Sequence, residues 1–325
     1  MAELMYREAL NRALFEEMRR DPLVFTMGVG VAERGGSYKV TEGLLKEFGS
    51  ERVIDTPIAE ASFTGAAVGA ALVGARPVVE VLFIDFTTLV MDPLINQAAK
   101  YEFMSGGQGK VPIVFRTQGG AGNGLAAQHS QSLEAIYYHI PGLKVVMPAT
   151  PHDALGLLKS AIRDDDPVIF IEHKLLYMSK GEVPEEEYLL PLGKADIKKK
   201  GDDVTLITYS NMTLKCLEAA ELMEKEGISL EVVDLRTLTP LDKETVLESA
   251  RKTGRVIVAH EACKRGGVGG DIASMIMEEA YDDLDGPVRR IAGKNTPIPY
   301  NIGIEKASVP SVEEIVEGVL EMVYI

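Results

Sequence analysis

Apolar residues recur at helical spacing near the N-terminus. Met5, Ala9, Leu10, Ala13, Leu14 and Met18 predict a helix with one buried face. LVFTMGV, from Leu23, is a compact apolar run and reads as a buried strand. A loop holding Gly35, Gly36 and Ser37 comes next, then a short helix through Leu44 and Leu45. RVIDTPIAE, from Arg52, begins as a strand and ends in a turn marked by Pro57. Strands and helices then alternate. Residues 77–83 precede a helix expected over 86–104, and 111–116 precede a glycine-rich loop. Residues 143–148 precede a helix from Pro151, and 167–173 form a last apolar strand. Near-continuous apolar strands between helices predict a parallel sheet covered on both faces.

Periodicity fades over SKGEVPEEEYLLPLGKADIKKKG, residues 179–201, where charges cluster and two prolines appear. That composition predicts a crossing between domains. The β–α pattern restarts with a strand over 203–209, a helix over 213–225 and a strand over 229–235. A turn at Pro240, a helix from Lys243 and a strand over 254–262 follow. Gly266, Gly267, Gly269 and Gly270 precede a helix with Ile272, Ile276 and Met277; a strand over 287–292 and a helix from Val312 close the chain. The expected fold class is therefore α/β, in two domains, each a mostly parallel sheet covered by helices. The expected boundaries are 1–185, a linker at 186–202, and 203–325.

One helical segment breaks the usual pattern. ASFTGAAVGAALVG, residues 61–74, is dominated by Gly65, Ala66, Ala67, Gly69, Ala70, Ala71 and Gly74. Glycine inside a helix costs roughly 1 kcal/mol against alanine. Its presence implies that something approaches closely: a helix of the same core, another subunit or a ligand.

Composition narrows the class. At 325 residues the chain is long enough for two cores, and its 46% hydrophobic and 26% charged residues are ordinary for a globular protein. A net charge of -15 argues against nucleic acid, whose phosphates would be repelled. Cys216 and Cys263 lie at no metal-site spacing and suggest no disulfide framework, as expected in a reducing compartment. The N-terminus carries charges throughout, unlike a signal peptide, and no apolar run approaches the ~18 residues of a membrane span. A cytoplasmic enzyme or enzyme subunit, with no nucleic-acid or membrane partner, is the expectation.

Several local motifs lead nowhere. RTQGGAGNGLA, residues 116–126, follows a strand, but Gly120, Gly122 and Gly124 do not give G-x-G-x-x-G. SGGQGKV, residues 105–111, lacks the rest of a P-loop. GGVGGD, residues 266–271, opens a helix and suits either an anion or, better, a tightly packed turn. There is neither a G-x-S-x-G elbow nor an H-E-x-x-H pair, and His129, His139, His152, His173 and His260 are scattered.

A longer ordered series is specific. DTPIAEASFTGAAVGAALVGARPVVE, MDPLINQAAKYEFMSGG, VPIVFR, AAQHSQSLEA, PGLKVVMPATPHDALGLLKSAIRDDDPVIFIEH and LEVVDLRTLTPLD span both halves. Together they resemble the β subunit of the thiamine-diphosphate-dependent decarboxylating component of 2-oxo acid dehydrogenase complexes. The resemblance covers essentially the whole chain. It implies a transketolase-like pyrimidine-binding domain followed by a transketolase C-terminal domain. Two branches are close: the pyruvate dehydrogenase β subunit and the acetoin dehydrogenase β subunit, to which KGEVPEEEYLLPLGKADIKKKGDDVTL, residues 180–206, is particularly similar.

The resemblance also implies site residues. Thiamine diphosphate needs a carboxyl group hydrogen-bonded to its pyrimidine ring, so that its own amino group can act as a base. A glutamate is long enough, and a carboxyl in a setting of low polarity holds a proton more readily. Glu60 matches that catalytic glutamate; read alone, it would be an acid complementing a helix N-terminus. Leu82 and Phe86 match residues that contact the aminopyrimidine ring, positions that would otherwise be plain core. His129 matches a histidine facing the reacting centre. There it would steady the substrate carboxylate or carbonyl, or act in the step to the lipoyl acceptor. Ile113, Ala161, Ile162, Asp164 and Asp166 match positions that ligate potassium in some members, mostly through backbone carbonyls.

Two departures matter. The usual magnesium and diphosphate signature, G-D-G followed by asparagine, is missing; GDD at 201–203 runs from the linker into a strand. The resemblance therefore implies that an α subunit holds magnesium and the diphosphate, in a heterotetramer with active sites at the interfaces. The pair of carboxylates usual after the first strand is replaced by Val29 and Gly30, and Pro93 stands inside an expected helix. The leading expectation is cleavage of pyruvate or acetoin, with the two-carbon unit passed to a lipoyl-bearing acyltransferase core protein. A branched-chain 2-oxo acid enzyme and a non-catalytic scaffolding subunit are the alternatives. A nicotinamide-dependent dehydrogenase is disfavoured by the failed fingerprint.

Overall fold

The computed structural model describes residues 1–324. The chain divides into two compact units, residues 1–119 with 136–192, and residues 120–135 with 193–325. In chain order the elements up to residue 183 are β1 (Ala2–Met5), α1 (Tyr6–Arg20), β2 (Val24–Gly28), α2 (Leu44–Phe48), β3 (Val53–Asp55), α3 (Glu60–Leu72), β4 (Arg76–Val81), α4 (Ala99–Met104), β5 (Val114–Gly119), α5 (Glu134–Tyr138), β6 (Lys144–Val146), α6 (Pro151–Arg163), β7 (Val168–His173) and β8 (Lys180–Val183). They continue as β9 (Asp196–Lys199), β10 (Val204–Thr208), α7 (Asn211–Lys225), β11 (Leu230–Asp234), β12 (Thr237–Thr239), α8 (Lys243–Thr253), β13 (Val256–Cys263), α9 (Gly269–Glu279), β14 (Arg289–Gly293), α10 (Ile302–Lys306) and α11 (Val312–Val323).

In the first unit the strands run β6-β7-β5-β4-β2-β3, all parallel. Their apolar side chains point to both faces, as the unbroken runs require. Helix α1 buries Tyr6, Ala9, Leu10, Ala13, Leu14 and Met18 and packs on α6. Helix α6 starts at Pro151 because Thr150 accepts the Asp153 amide and proline needs no donor there. The second unit repeats the logic with β14-β13-β10-β11-β9, where only β9 is antiparallel. Its core sets Val204, Leu206, Leu230 and Val232 against Cys216 and Ala220 of α7 and Ile315 and Val319 of α11. Helix α11 opens with a reciprocal cap between Ser311 and Glu314.

Three details differ from the sequence pattern. The expected helix over 86–104 is instead a 3₁₀ turn (Ile84–Val90), a π-helical turn (Asp92–Ala98) and then α4. Pro93 supplies no N–H to a regular i→i−4 ladder, so the chain changes its winding around it. The charged stretch over 179–201 contains two strands: β8 pairs antiparallel with β1, and β9 edges the second sheet. The glycine-rich segment 120–135 groups with the second unit. Its amides are captured there: Ala121 N–H donates to Glu261 at 2.7 Å, and Gly122 and Gly124 donate to the two oxygens of Glu305 at 2.8 Å each.

Among the described residues no helix is long and apolar enough to cross a membrane. Both cysteines are free, Cys216 buried and Cys263 exposed.

Candidate active site

In an open parallel sheet, ligands bind beyond the carboxyl ends of the strands, where connections fan out. Glu60 lies just past the end of β3, as the first residue of α3. Leu82 and Phe86 follow the end of β4, two strands away in the same sheet. Helix α3 packs against both β4 and the 3₁₀ turn that carries Phe86. The fold thus brings Glu60, Leu82 and Phe86 to one edge of the first unit. All three are half-buried, leaving surface that a flat ring can cover.

Helix α3 has two unequal faces. Phe63, Thr64, Ala67, Val68 and Ala71 are buried. Ala61, Ser62, Gly65, Ala66, Gly69 and Leu72 are exposed, and a Cβ built on Gly65 or Gly69 would meet nothing within 4 Å. Gly65 and Gly69 therefore do not serve packing inside this chain. They leave a smooth surface beside Glu60.

Behind the site lies a buried charge cluster that the sequence reading did not single out. Glu80 of β4 and Arg116 of β5 are directly paired in register, and Glu172 of β7 lies on the same face. Arg116 donates to Glu80 at 2.8 Å and to both oxygens of Glu172 at 2.7 and 2.8 Å; Tyr177 OH donates to Glu172 at 2.6 Å. Burial works to lower the Arg116 pKa, but Glu172 and Glu80 outweigh it and hold it above its ordinary value. Burial, with the nearby Glu80 charge, raises Glu172 and outweighs the lowering by Arg116 and the Tyr177 hydrogen bond. Burial, reinforced by the charge of Glu172, likewise holds the Tyr177 phenol well up. Tyr38 stacks on Tyr177 at 4.4 Å and meets Phe83 edge-on at 6.3 Å, while the Lys174 ammonium lies 5.3 Å from the Phe83 ring centre. Burial and the Glu80 charge push the Tyr38 phenol up to about 12. A continuous set of contacts therefore runs from the Leu82–Phe86 turn to the Arg116 cluster. The available signal was a charged residue inside each of three apolar strands, VVEVLF, VFRTQ and IFIEH.

The loop after β2 holds Val29 and Gly30, where the resemblance implied acids. Asp55 captures the following amides of Ala32 and Glu33 at 2.7 and 3.2 Å. A Cβ on Gly28 would lie 2.6 Å from the Glu80 carbonyl, so only glycine lets β2 and β4 lie this close there.

His129 sits in the second unit, on the 120–135 segment, half-buried, with its N–H directed to the Ala126 carbonyl at 3.3 Å. His260 is the buried histidine of that unit. Its ring stacks near Tyr209 and occupies the space where Cβ atoms on Gly267 and Gly269 would fall, 2.5 Å away in each case. The GGVGG turn thus serves packing. Burial, helped by the Arg290 charge, lowers the His260 pKa to about 4.

Of the five residues matched to a potassium site, Ile162 and Asp164 share Arg76, and Asp164 and Asp166 share Lys144. The Ile162 and Asp164 carbonyls accept from Arg76 at 3.1 and 2.9 Å, and the Ile113 carbonyl accepts from Val168 N–H at 2.9 Å. Asp164 and Asp166 are bridged by the Lys144 ammonium, at 2.7 and 3.0 Å. An ion there would share its carbonyls with Arg76.

Comparison with known proteins gives consistent findings. Residues 2–180 match the family described as transketolase, pyrimidine binding domain, and residues 193–315 match transketolase, C-terminal domain. The chain is 50% identical over 325 residues to the pyruvate dehydrogenase E1 component subunit beta of Rhizobium meliloti, covering 100% of this chain and 71% of that one. It is 49% identical over 308 residues to the 2-oxoisovalerate dehydrogenase subunit beta of Bacillus subtilis, covering 94% of each. A solved structure titled split gene transketolase, inactive beta4 tetramer, superposes with a TM-score of 0.81 at 25% identity, covering 99% and 98% of the two chains.

Proposed function

The chain belongs to the family of β subunits of thiamine-diphosphate-dependent 2-oxo acid dehydrogenases, and from that premise we propose that Glu60 is its catalytic acid, completed across an interface with an α subunit. The observation that carries this reading is the meeting of α3, which Glu60 opens, with the turn bearing Phe86 at the carboxyl edge of the parallel sheet. When bound, thiamine diphosphate supplies the electron sink for cleaving the bond next to a carbonyl. Glu60 holds a proton at the pyrimidine nitrogen. Leu82 and Phe86 pack the ring and fix its tilt. His129 steadies the carboxylate or carbonyl of the substrate, or moves a proton in transfer to the lipoyl group.

Glu60 is only half-buried in this chain, and the face of α3 beside it is uncovered. Seating α3 against another subunit would shield the carboxyl group from water. The α subunit would also bring magnesium and the diphosphate site, since no G-D-G occurs here. A heterotetramer, a lipoyl-bearing acyltransferase core protein and a cytoplasmic setting complete the proposal. So does a potassium ion at the carbonyls of Ile113, Ala161 and Ile162 with Asp164 and Asp166.

The substrate is a small 2-oxo acid or acetoin. Relatives named for pyruvate and for 2-oxoisovalerate are 50% and 49% identical, so identity does not choose between them. The test is co-expression with the α subunit and thiamine-dependent reduction of an artificial electron acceptor, offering pyruvate, branched 2-oxo acids and acetoin. Turnover on one of them is expected. An assembled complex inert on all of them would refute the reading. Glu60→Gln should abolish turnover and leave assembly intact; retained turnover would remove Glu60 from its role.

A further inference from the structure

A cavity of about 340 Å³ lies within the second unit, at the low end of the ~300–1,000 Å³ of small-molecule sites. One wall is the 120–135 segment, contributing Ser130 and Ser132; Glu261, Cys263, Arg265 and Lys294 also line it. Ser130 is 1% exposed, and its hydroxyl has no hydrogen-bond partner among the described residues. A buried hydroxyl without a partner is uncommon in a native protein unless something else satisfies it. Arg265 and Lys294 are exposed side chains with no ion pair among the described residues, in a chain carrying 49 acidic residues. The one acid in the lining, Glu261, already accepts from Ala121 N–H at 2.7 Å and from the Ser132 hydroxyl at 3.4 Å. Two cations without partners, a free buried hydroxyl and a small volume describe a receptor for a compact oxyanion.

We propose that this cavity binds a small anionic metabolite, a phosphate ester or a dicarboxylate, and that its occupancy sets the position of His129. Arg265 and Lys294 neutralise the anion, and the Ser130 hydroxyl donates to it. Ser130 and Ser132 follow His129 by one and three residues, so the anion holds the strand of chain that carries the histidine. The role given to His129 rests on the function proposed above; the binding does not.

The test uses the full chain in isothermal titration with glycerol 3-phosphate and with succinate, at constant ionic strength and with sodium chloride as control. Saturable one-site binding of one probe is expected, and the probe that binds identifies the chemistry. The double variant Arg265→Ala/Lys294→Ala, altered only at exposed positions, should bind at least about tenfold more weakly, because two charge-assisted contacts are lost. Ser130→Ala should bind several-fold more weakly. The bound probe should also slow alkylation of Cys263, an exposed residue of the cavity lining, while buried Cys216 stays unreactive in both states. Non-saturating heats with both probes, or unchanged affinity in the double variant, would overturn the site. In the complex with the α subunit, the bound anion should shift kcat or KM for the 2-oxo substrate. A site that binds while turnover is unmoved would overturn the link to His129 and leave Glu60 unaffected.

Discussion

Arg116 holds together the buried charge cluster behind the candidate site. Its guanidinium serves Glu80 and Glu172, and all three are buried. Removing one partner from a buried charge group leaves the others uncompensated, at a typical cost of about 3–5 kcal/mol. Arg116→Met should therefore lose stability of that order at pH 7 in a denaturant titration. The loss should shrink as pH falls, because the stranded Glu172, already raised by burial, takes up a proton; a loss under about 1 kcal/mol at pH 7 would show that the cluster is not structural. His260 gives the opposite pH lesson. Burial lowers its folded pKa to about 4 from the ordinary 6.5 of a histidine, so above pH 6.5 it is neutral folded or unfolded and contributes no pH dependence. As pH falls from about 6.5 towards 4, the unfolded chain takes the proton first and stability drops. The drop approaches about 1.4 kcal/mol per pH unit and about 3 kcal/mol in total. Burial sets this shift, Arg290 adds to it, and a backbone bond at Ala262 opposes it. Substituting His260→Leu should flatten the stability profile over that window, as read by thermal melts.

At the scale of elements, glycines do two different jobs. Before α9 they make room: a methyl on Gly269 would lie 2.5 Å from Cδ2 of His260. Overpacking of this kind costs roughly 1–3 kcal/mol, so Gly269→Ala should melt lower. The penalty should largely vanish in a His260→Ala background, since the two sites share one space. In α3 the glycines make room for nothing inside the chain. Gly65→Leu with Gly69→Leu should leave the isolated fold intact or firmer, because each exchange recovers about 0.8–1 kcal/mol of helix propensity. The same pair should block association with the α subunit on a sizing column. Normal association would remove α3 from the proposed interface. The turn around Pro93 shows the limit of periodicity. The apolar spacing there resembles one helix, but a missing backbone donor forces 3₁₀ and π windings.

For the whole molecule, the proposed consequence is dependence on a second chain. The missing diphosphate signature and the uncovered face beside Glu60 both point outward. The isolated chain should show no thiamine-dependent turnover, and adding the α subunit should restore it. Turnover by the isolated chain would end it.

The sequence by itself determined the two α/β units and the parallel strands, because runs of apolar residues flanked by turns leave the chain few other ways to bury them. It also named Glu60, Leu82, Phe86 and His129, through ordered motifs rather than through any local property. Only the tertiary structure decided where those residues go. It placed the 120–135 segment, and His129 with it, in the second unit, because Glu261 and Glu305 capture its amides from far along the chain. It joined Glu80, Arg116 and Glu172 into one cluster, because parallel register sets side by side residues that are 36 and 56 positions apart. It also separated the two uses of glycine, filled space at Gly269 and open space at Gly65. What surrounds a missing side chain is a property of the folded neighbours, and no window of sequence contains it.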